Sequence, residues 1–277
     1  MAMKLNKFQK YYNLMPSKLG DQDYIKLVSY FKFLAAVEKP MVSLVIPVFR
    51  AEKTLLAHII SLMELKTILP YEIIFVDNNA NKETLSILED LGANVIKEAK
   101  QGITHARQKG LEVARGEVVC TMDPDTLYEP HYIDKMALPF FLESKLVLCY
   151  SNTISYEHGM TLSSKMRFRN YLKTQYFRYR LSQGPLKRMK FVRAACLAFR
   201  REPFLNIGYR TDLKAVAGCD DGIVAIDLNN SGNSKYIATT AYTALPPARE
   251  PGKPFPFCNE KYLEQDVAAN KDVVLNY

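Results

Sequence analysis

An α/β layer built on a mostly parallel sheet is the fold class this sequence predicts, and three observations predict it. Short apolar runs alternate with helical segments along residues 43–125. Two of the runs end in clusters of polar side chains, at Asp77-Asn78-Asn79 and at Asp123-Pro124-Asp125. The segments between runs have the length of crossover helices, which are right-handed and join parallel strands.

The elements follow in order. Ser43-Leu44-Val45-Ile46-Pro47-Val48 reads as a short buried strand, broken by Pro47 near its end. Ala51–Leu65 has helical spacing, with Leu55, Ile59, Leu62 and Met63 on one side. Tyr71–Val76 is a second strand closing at Asp77, and Lys82–Leu91 is a short helix stopped by Gly92. Ala93–Ile96 is a third strand, Ile103–Ala114 a helix ending at Arg115-Gly116, and Val118–Met122 a fourth strand. Residues 1–42 form an N-terminal helical extension. Asp23 is expected to cap a helix running through Ile25, Leu27, Val28, Phe31 and Leu34 and ending near Lys39-Pro40. Lys4, Lys7, Lys10 and Lys18 of that extension would also suit a membrane surface. Pro246, Pro247, Pro251, Pro254 and Pro256 mark a C-terminal tail over 246–277, with a short helix expected around Lys261–Ala269.

At 277 residues and 48% hydrophobic content, the chain can bury one large α/β core. Its five cysteines show no CxxC spacing, and Cys120 and Cys149 lie inside apolar runs, as small core residues do. A reducing cytoplasm, or the inner face of its membrane, is the expected location. The apolar stretches break well before the roughly 18 residues a membrane-crossing helix needs. No secretory segment follows the basic start.

The chemistry starts at Asp123-Pro124-Asp125, directly after an apolar run. A strand ending in two carboxylates puts anionic oxygens at the carboxyl edge of the sheet, where ligands bind in open α/β folds. Acids this close repel unless a positive charge sits between them. A hard divalent cation serves, because it takes oxygen ligands and in turn grips phosphate oxygens. The same triplet also reads as a turn and helix cap, Asp77 as an Asx turn, and Asp220-Asp221-Gly222 as another capped turn. On spacing alone Arg107 reads equally as a surface arginine.

The runs VSLVIPVFRAEKTL, EIIFVDNNANKET and QGITHARQKGLEVARGEVVCTMDPD resemble the amino-terminal half of a family 2 glycosyltransferase. FVRAACLAFRREPFLNIGY and GCDDGIVAIDLNNSG are similar to that family's acceptor-side and acidic-pair segments, with Gly232 at its usual distance. The likeness covers 43–245 in motif order. It implies a GT-A fold, a Rossmann-like sheet flanked by helices, with a nucleotide-binding half at 43–126 and an acceptor half at 127–245. It further implies a nucleoside-diphosphate sugar donor of UDP type, a divalent metal (Mg²⁺ or Mn²⁺) and inversion at the anomeric carbon.

By the same resemblance, Pro47, Phe49 and Asp77 lie at the nucleobase and ribose, and Arg107 faces the diphosphate. Asp123 is on the ribose and metal side, Asp125 is the direct metal ligand, and Asp221 is the general base, with Asp220 as the alternative. The chain departs from the family in having Gln108 where an Asn is common and Asp220 where a Glu is usual. His158 is its last histidine, so a late histidine ligand for the metal is missing. With no Trp, it lacks the motif of processive polysaccharide synthases, so single-sugar transfer is expected, in cell-surface polysaccharide or glycolipid synthesis.

Two other functions compete. A sugar-phosphate nucleotidylyltransferase would want a glycine-rich phosphate loop after the first strand, where this chain has Phe49-Arg50-Ala51-Glu52-Lys53. A non-catalytic binder of anionic polymer or membrane, on a decayed transferase fold, would not be expected to keep Asp77, Asp123, Asp125 and Asp221 together.

The charge is uneven. Between Glu157 and Glu202 there is no acid but there are twelve Lys or Arg, against a net +8 for the whole chain. Lys165, Arg169 and Lys173 would share one helical face, and Arg200-Arg201 close the segment, either guiding an anionic acceptor or closing the domain. Three readings fit: a solvated helix, a surface for anionic lipid or a lipid-linked acceptor, or non-specific nucleic acid binding. The acceptor expected is a saccharide or a lipid-linked hydroxyl, with peripheral membrane contact and no specific nucleic acid.

Overall fold

A computed structural model of the chain describes residues 4–156, 163–181, 192–211 and 220–244, with the side chains of Arg180, Leu181 and Asp220 outside the description. The strands are β1 (Val42–Val48), β2 (Tyr71–Asp77), β3 (Val95–Lys97), β4 (Val118–Thr121), β5 (Thr126–Tyr128), β6 (Leu146–Tyr156), β7 (Leu197–Arg200) and β8 (Asn233–Ala244). The helices are α1 (Asp21–Ala35), α2 (Leu55–Met63), α3 (Lys82–Asp90), α4 (Ile103–Val113), α5 (Tyr132–Leu142), α6 (Ser164–Leu181), α7 (Arg201–Ile207) and α8 (Asp220–Ser231).

One sheet runs in the order β3-β2-β1-β4-β7-β6-β8-β5. The first four strands are parallel. Past β4 the direction reverses, because β7 pairs antiparallel with both β4 and β6, while β6 pairs parallel with β8 and β8 antiparallel with β5. The reversal next to β4 separates the four parallel strands from the late ones. A strand-order break of this kind leaves a crevice at the carboxyl ends of the parallel strands.

Every residue of β1 and β2 is buried because the two faces of each strand feed different cores. Leu44, Ile46, Ile73 and Phe75 pack into a layer with α1, α2 and α5. Val45, Ile74 and Val76 point the other way, toward Ala106 and Leu111 of α4. The period of two along a strand explains why these runs are apolar throughout rather than alternating.

The N-terminal extension joins the first core. A 3₁₀ turn at Leu5–Tyr11 buries Leu5, Phe8 and Tyr11, and α1 buries Leu27, Phe31 and Leu34. Asp23 does not cap α1. Gly20 stands at the cap, and Asp23 lies in the first turn, where its carboxylate accepts from the Tyr11 hydroxyl at 3.2 Å. The helix also stops at Ala35, before Lys39-Pro40. Helix α2 starts later than its spacing suggests, since Ala51 donates its N–H to the Thr84 hydroxyl at 3.0 Å and residues up to Thr54 form a turn. A 3₁₀ turn at Ala194–Cys196 leads into β7. Cys120, Cys149 and Cys196 are buried free thiols. The proline-rich tail and the expected helix near Lys261–Ala269 lie outside the described residues. Among those described, no helix is long and apolar enough to cross a membrane.

Helix α4 matters most for the site, and one glycine lets it approach β1. A Cβ on Gly110 would stand 2.2 Å from Cγ1 of Val45. Val45 is a β-branched residue of a fully buried strand, so it cannot swing aside. Gly110→Ala is therefore expected to lower unfolding free energy in urea by about 1–3 kcal/mol despite alanine's better helix propensity. Adding Val45→Ala should cost less in that background than alone, since the small side chain relieves the clash.

Candidate active site

The carboxyl ends of β1, β2 and β4 converge on two neighbouring features. The first is a cleft of about 260 Å³ lined by Pro47, Val48, Phe49, Asn78, Gln101, Gly102 and Ile103. Asn78 builds its far wall. Its amide donates to the carbonyls of Glu98 at 3.2 Å and Lys100 at 2.7 Å, and its oxygen accepts the Gly102 N–H at 2.8 Å. Gly102, at φ 144°, turns the chain into α4 where a side chain would be strained. Asp77 ends β2 beside this wall, and its carboxylate accepts the Ala80 N–H, three residues on, at 2.8 Å.

The second feature is a cluster of acids around Arg107. The guanidinium donates to Oδ1 of Asp221 at 2.7 Å and to Oδ1 of Asp123 at 3.2 Å, with only 6% of its side chain exposed. It reaches both because α4 lies against β1 and points its second turn at the end of β4. Asp221 arrives from the first turn of α8, where a carboxylate is favoured by the helix dipole. The backbone of Asp123 is held in turn. Its N–H donates to the Tyr128 hydroxyl at 3.3 Å, and that hydroxyl donates to the carbonyl of Ala195 at 3.0 Å.

Asp125 follows two residues on, its carboxyl accepting from the Thr126 hydroxyl at 3.1 Å. Burial pushes this carboxyl up to about 7, and the charge of Asp123 adds to the push. The carbonyl of Asp125 accepts the Ala244 N–H at 3.0 Å and the Tyr156 hydroxyl at 2.9 Å, which ties the acid loop to β8 and β6. From below, Nδ1 of the fully buried His58 on α2 holds the Thr126 carbonyl at 2.6 Å.

The remaining expected residues fall elsewhere. Lys165 and Arg169 are exposed on α6. The ammonium of Lys173 turns back onto β6, donating to the carbonyl and hydroxyl of Thr153 at 3.1 and 2.9 Å. Desolvation of that ammonium, with Arg193 close by, pulls it down to about 8. Arg200 and Arg201 are not brought to the site. Arg200 pairs in register with Val118, at the start of β4, whereas the acids follow its end. Its guanidinium donates to the carbonyls of Leu146 at 3.2 Å and Phe140 at 2.6 Å and pairs with Glu117, and Arg201 pairs with Glu202 at 2.7 Å. Of the two roles open to this pair, closing the domain is the one their contacts serve.

A sequence profile of Glycosyl transferase family 2 matches residues 43–208, more than half of the chain. The chain belongs to this family. A putative glycosyltransferase of Bacillus subtilis strain 168, EpsH, is 31% identical over 133 residues, covering 46% of this chain and 38% of the relative. An uncharacterized glycosyltransferase of the same organism, YfnE, is 30% identical over 113 residues, covering 39% of this chain and 29% of the relative. The aligned part therefore spans well under half of either relative. Among solved structures, residues 1–349 of S. aureus TarS in complex with UDP-GlcNAc align with a TM-score of 0.57 at 15% identity, covering 77% of this chain and 61% of that one. The UDP complex of TarS aligns with a TM-score of 0.52 at 16% identity, covering 74% and 61%. The fold of this glycosyltransferase is thus GT-A, as its motifs imply.

Sequence reasoning missed several residues of the enzyme's site. Asn78 and the Gln101-Gly102-Ile103 wall were inside recognised runs, yet only the structure shows that they face the cleft. Tyr128, Tyr156 and His58 carried no spacing signal, because they reach the acid loop from other elements. Among the described residues, no group of three or more His, Cys, Asp or Glu is arranged to hold a metal.

His58 yields a pH prediction. Burial pulls its imidazole down from 6.5 to about 4, and Nε2 has no hydrogen-bond partner among the described residues. A base with a depressed folded-state pKa binds protons more readily when unfolded, so its contribution is intact above pH 6.5 and erodes as pH falls toward 4. Relative to His58→Gln, wild-type stability should fall on the order of 3 kcal/mol more between pH 7.5 and 4. Urea titrations at both pH values, read as a difference between the two proteins, measure this.

Proposed function

We propose that this glycosyltransferase moves one sugar from a nucleoside diphosphate of UDP type onto an acceptor hydroxyl, with inversion at the anomeric carbon. Its place would be in cell-surface polysaccharide or glycolipid synthesis, with a saccharide or lipid-linked acceptor. The observation that carries the reading is the buried Arg107 bridge, which holds Asp221, 114 positions further along the sequence, together with Asp123. The UDP and UDP-GlcNAc bound by TarS support the donor class.

The roles follow from the geometry. The nucleobase would sit in the cleft lined by Pro47, Phe49 and Ile103, whose wall the Asn78 side chain braces, with Asp77 at the end of the neighbouring strand. The diphosphate then points toward Asp123 and Asp125. Asp221 accepts the acceptor's O–H proton as that oxygen bonds the anomeric carbon, and the bond to the diphosphate breaks, its electron pair leaving with the phosphate oxygen. Arg107 orients the Asp221 carboxylate for this transfer.

A divalent cation, Mg²⁺ or Mn²⁺, fits the acid loop. Asp125 is an enclosed carboxyl whose ionisation is opposed by burial and by the Asp123 charge, and a cation there would relieve both. Asp125 and Asp123 would hold it. When bound, it supplies positive charge that stabilises the departing diphosphate.

Two measurements test this. Calorimetry should show UDP binding strengthened by Mn²⁺ in the wild type and not in Asp125→Ala. An undiminished metal effect in that variant would sink the ligand assignment. Asp221→Asn keeps shape but loses the base, so donor affinity should hold while transfer falls roughly 10²-fold or more. Arg107→Ala should harm both stability and transfer, since it leaves the part-buried Asp123 and Asp221 carboxylates without their cation. If Asp220→Asn is the damaging change and Asp221→Asn is nearly silent, the base is Asp220.

A further inference from the structure

Helix α6 is left over by the reaction, and its outward face is unlike the rest of the surface. Met166, Asn170 and Phe177 are its buried side, at 5%, 6% and 7% exposure. The opposite side carries Phe168 at 63%, Leu172 at 51% and Tyr179 at 58% exposure, with Tyr171 and Tyr176 at its margins. At helical spacing these five form one continuous strip. Arg167 and Arg178 border the strip along one edge, and Lys165 and Arg169 along the other. The helix has no acidic residue at all.

A merely solvated helix would scatter single apolar residues among charges of both signs. Here the large apolar side chains are gathered and the cations are set at their borders, the arrangement of a helix lying in a membrane interface. Nucleic acid would attract the same cations and stack on the same rings, so it is the competing outcome of the test below. Exposed aliphatic Leu172 beside those rings favours the apolar boundary of a bilayer.

We propose that the outer face of α6 seats this enzyme on an anionic lipid bilayer, with Phe168, Leu172 and Tyr179 at the acyl boundary and the bordering Lys and Arg on lipid phosphates. The helix is well placed to transmit that position. The Asn170 amide bonds the backbone of Ser155 on both sides, at 3.1 and 2.7 Å, and Asn152 donates to Thr174 at 3.1 Å. The next residue of β6, Tyr156, holds the carbonyl of Asp125. A bilayer under α6 therefore lies a fixed distance from the acid loop, so that an acceptor anchored in the same lipid is presented to it. The surface stands on α6 alone and does not depend on which sugar is moved.

The test is sedimentation of the full chain with vesicles of phosphatidylcholine, pure or mixed with phosphatidylglycerol. Binding is expected to the mixed vesicles only. It should weaken with salt, since screening tightens from about 8 Å at physiological ionic strength to about 3 Å at 1 M. Lys165→Glu with Arg169→Glu, and separately Phe168→Ser with Leu172→Ser, should each reduce bound protein about tenfold. UDP affinity by calorimetry should be unchanged in both, which separates loss of docking from loss of the nucleotide site. Equal binding to both vesicle types overturns the proposal, as does binding to neither. Undiminished binding by both double variants overturns it too, by assigning the contact to another surface. Salt-sensitive capture of an RNA or DNA oligonucleotide without vesicle binding would give the face to nucleic acid instead.

Discussion

A buried guanidinium held between two carboxylates is the interaction on which the rest of the site depends. Arg107 is charged at any accessible pH, and an unpaired charge at its depth would be prohibitively costly. The chain compensates by bringing it two acids from separate elements, the end of β4 and the first turn of α8. Neither acid could take its position independently. Without Arg107 the carboxylates would repel each other, and without them α4 could not keep its cation so deep. The ion pairs thus cross-link α4 and the end of β4 to α8, beside the point where strand direction reverses. The close packing of α4 at Gly110 serves the same end, because it fixes the height at which the guanidinium emerges.

The acid loop adds a second constraint of opposite sign. Asp123 and Asp125 crowd together in a partly enclosed space, and burial makes ionisation of Asp125 unfavourable. Backbone restraints keep the loop in place nonetheless. Tyr128 holds the N–H of Asp123, Tyr156 and Ala244 hold the carbonyl of Asp125, and His58 holds that of Thr126. These restraints grip the main chain, while the carboxylates take separate partners, Asp123 the Arg107 guanidinium and Asp125 the Thr126 hydroxyl. An unfavourable arrangement of charge kept in position by its surroundings is typical of a working site.

How much of this could be read from the sequence depends on how local each cause is. The strands and helices of residues 43–125 were legible because β1 and β2 are buried on both faces and α4 on one, so periodicity reported them faithfully. Asp123 and Asp125 were legible as a pair because adjacent carboxylates after an apolar run are chemically conspicuous. The start of α1 was misread, since Asp23 is drawn to the Tyr11 hydroxyl from another element rather than to its own helix end. Arg200 and Arg201 were grouped with the basic segment by proximity in sequence, yet β7 runs antiparallel to β4 and carries them to the far end of the sheet. Asp221 could be named from its motif, but its ion pair with Arg107 is a product of the fold, with no trace in spacing.

The first strands and α6 also differ in how they are held. The first strands are secured by apolar side chains from both faces of β1 and β2. Helix α6 is tied to β6 by polar side chains as well, with Asn170, Thr174 and Lys173 each bonded to Ser155, Asn152 or Thr153. Hydrogen bonds of this kind add only about 1 kcal/mol each, but they fix direction. Of the aromatic residues of α6 only Phe177 is buried among those described, and Phe168, Tyr171, Tyr176 and Tyr179 are left at the surface. A scaffold whose β1 and β2 are held by apolar contacts and whose α6 is oriented by polar ones can vary the exposed residues of that helix while the carboxylate cluster stays as it is.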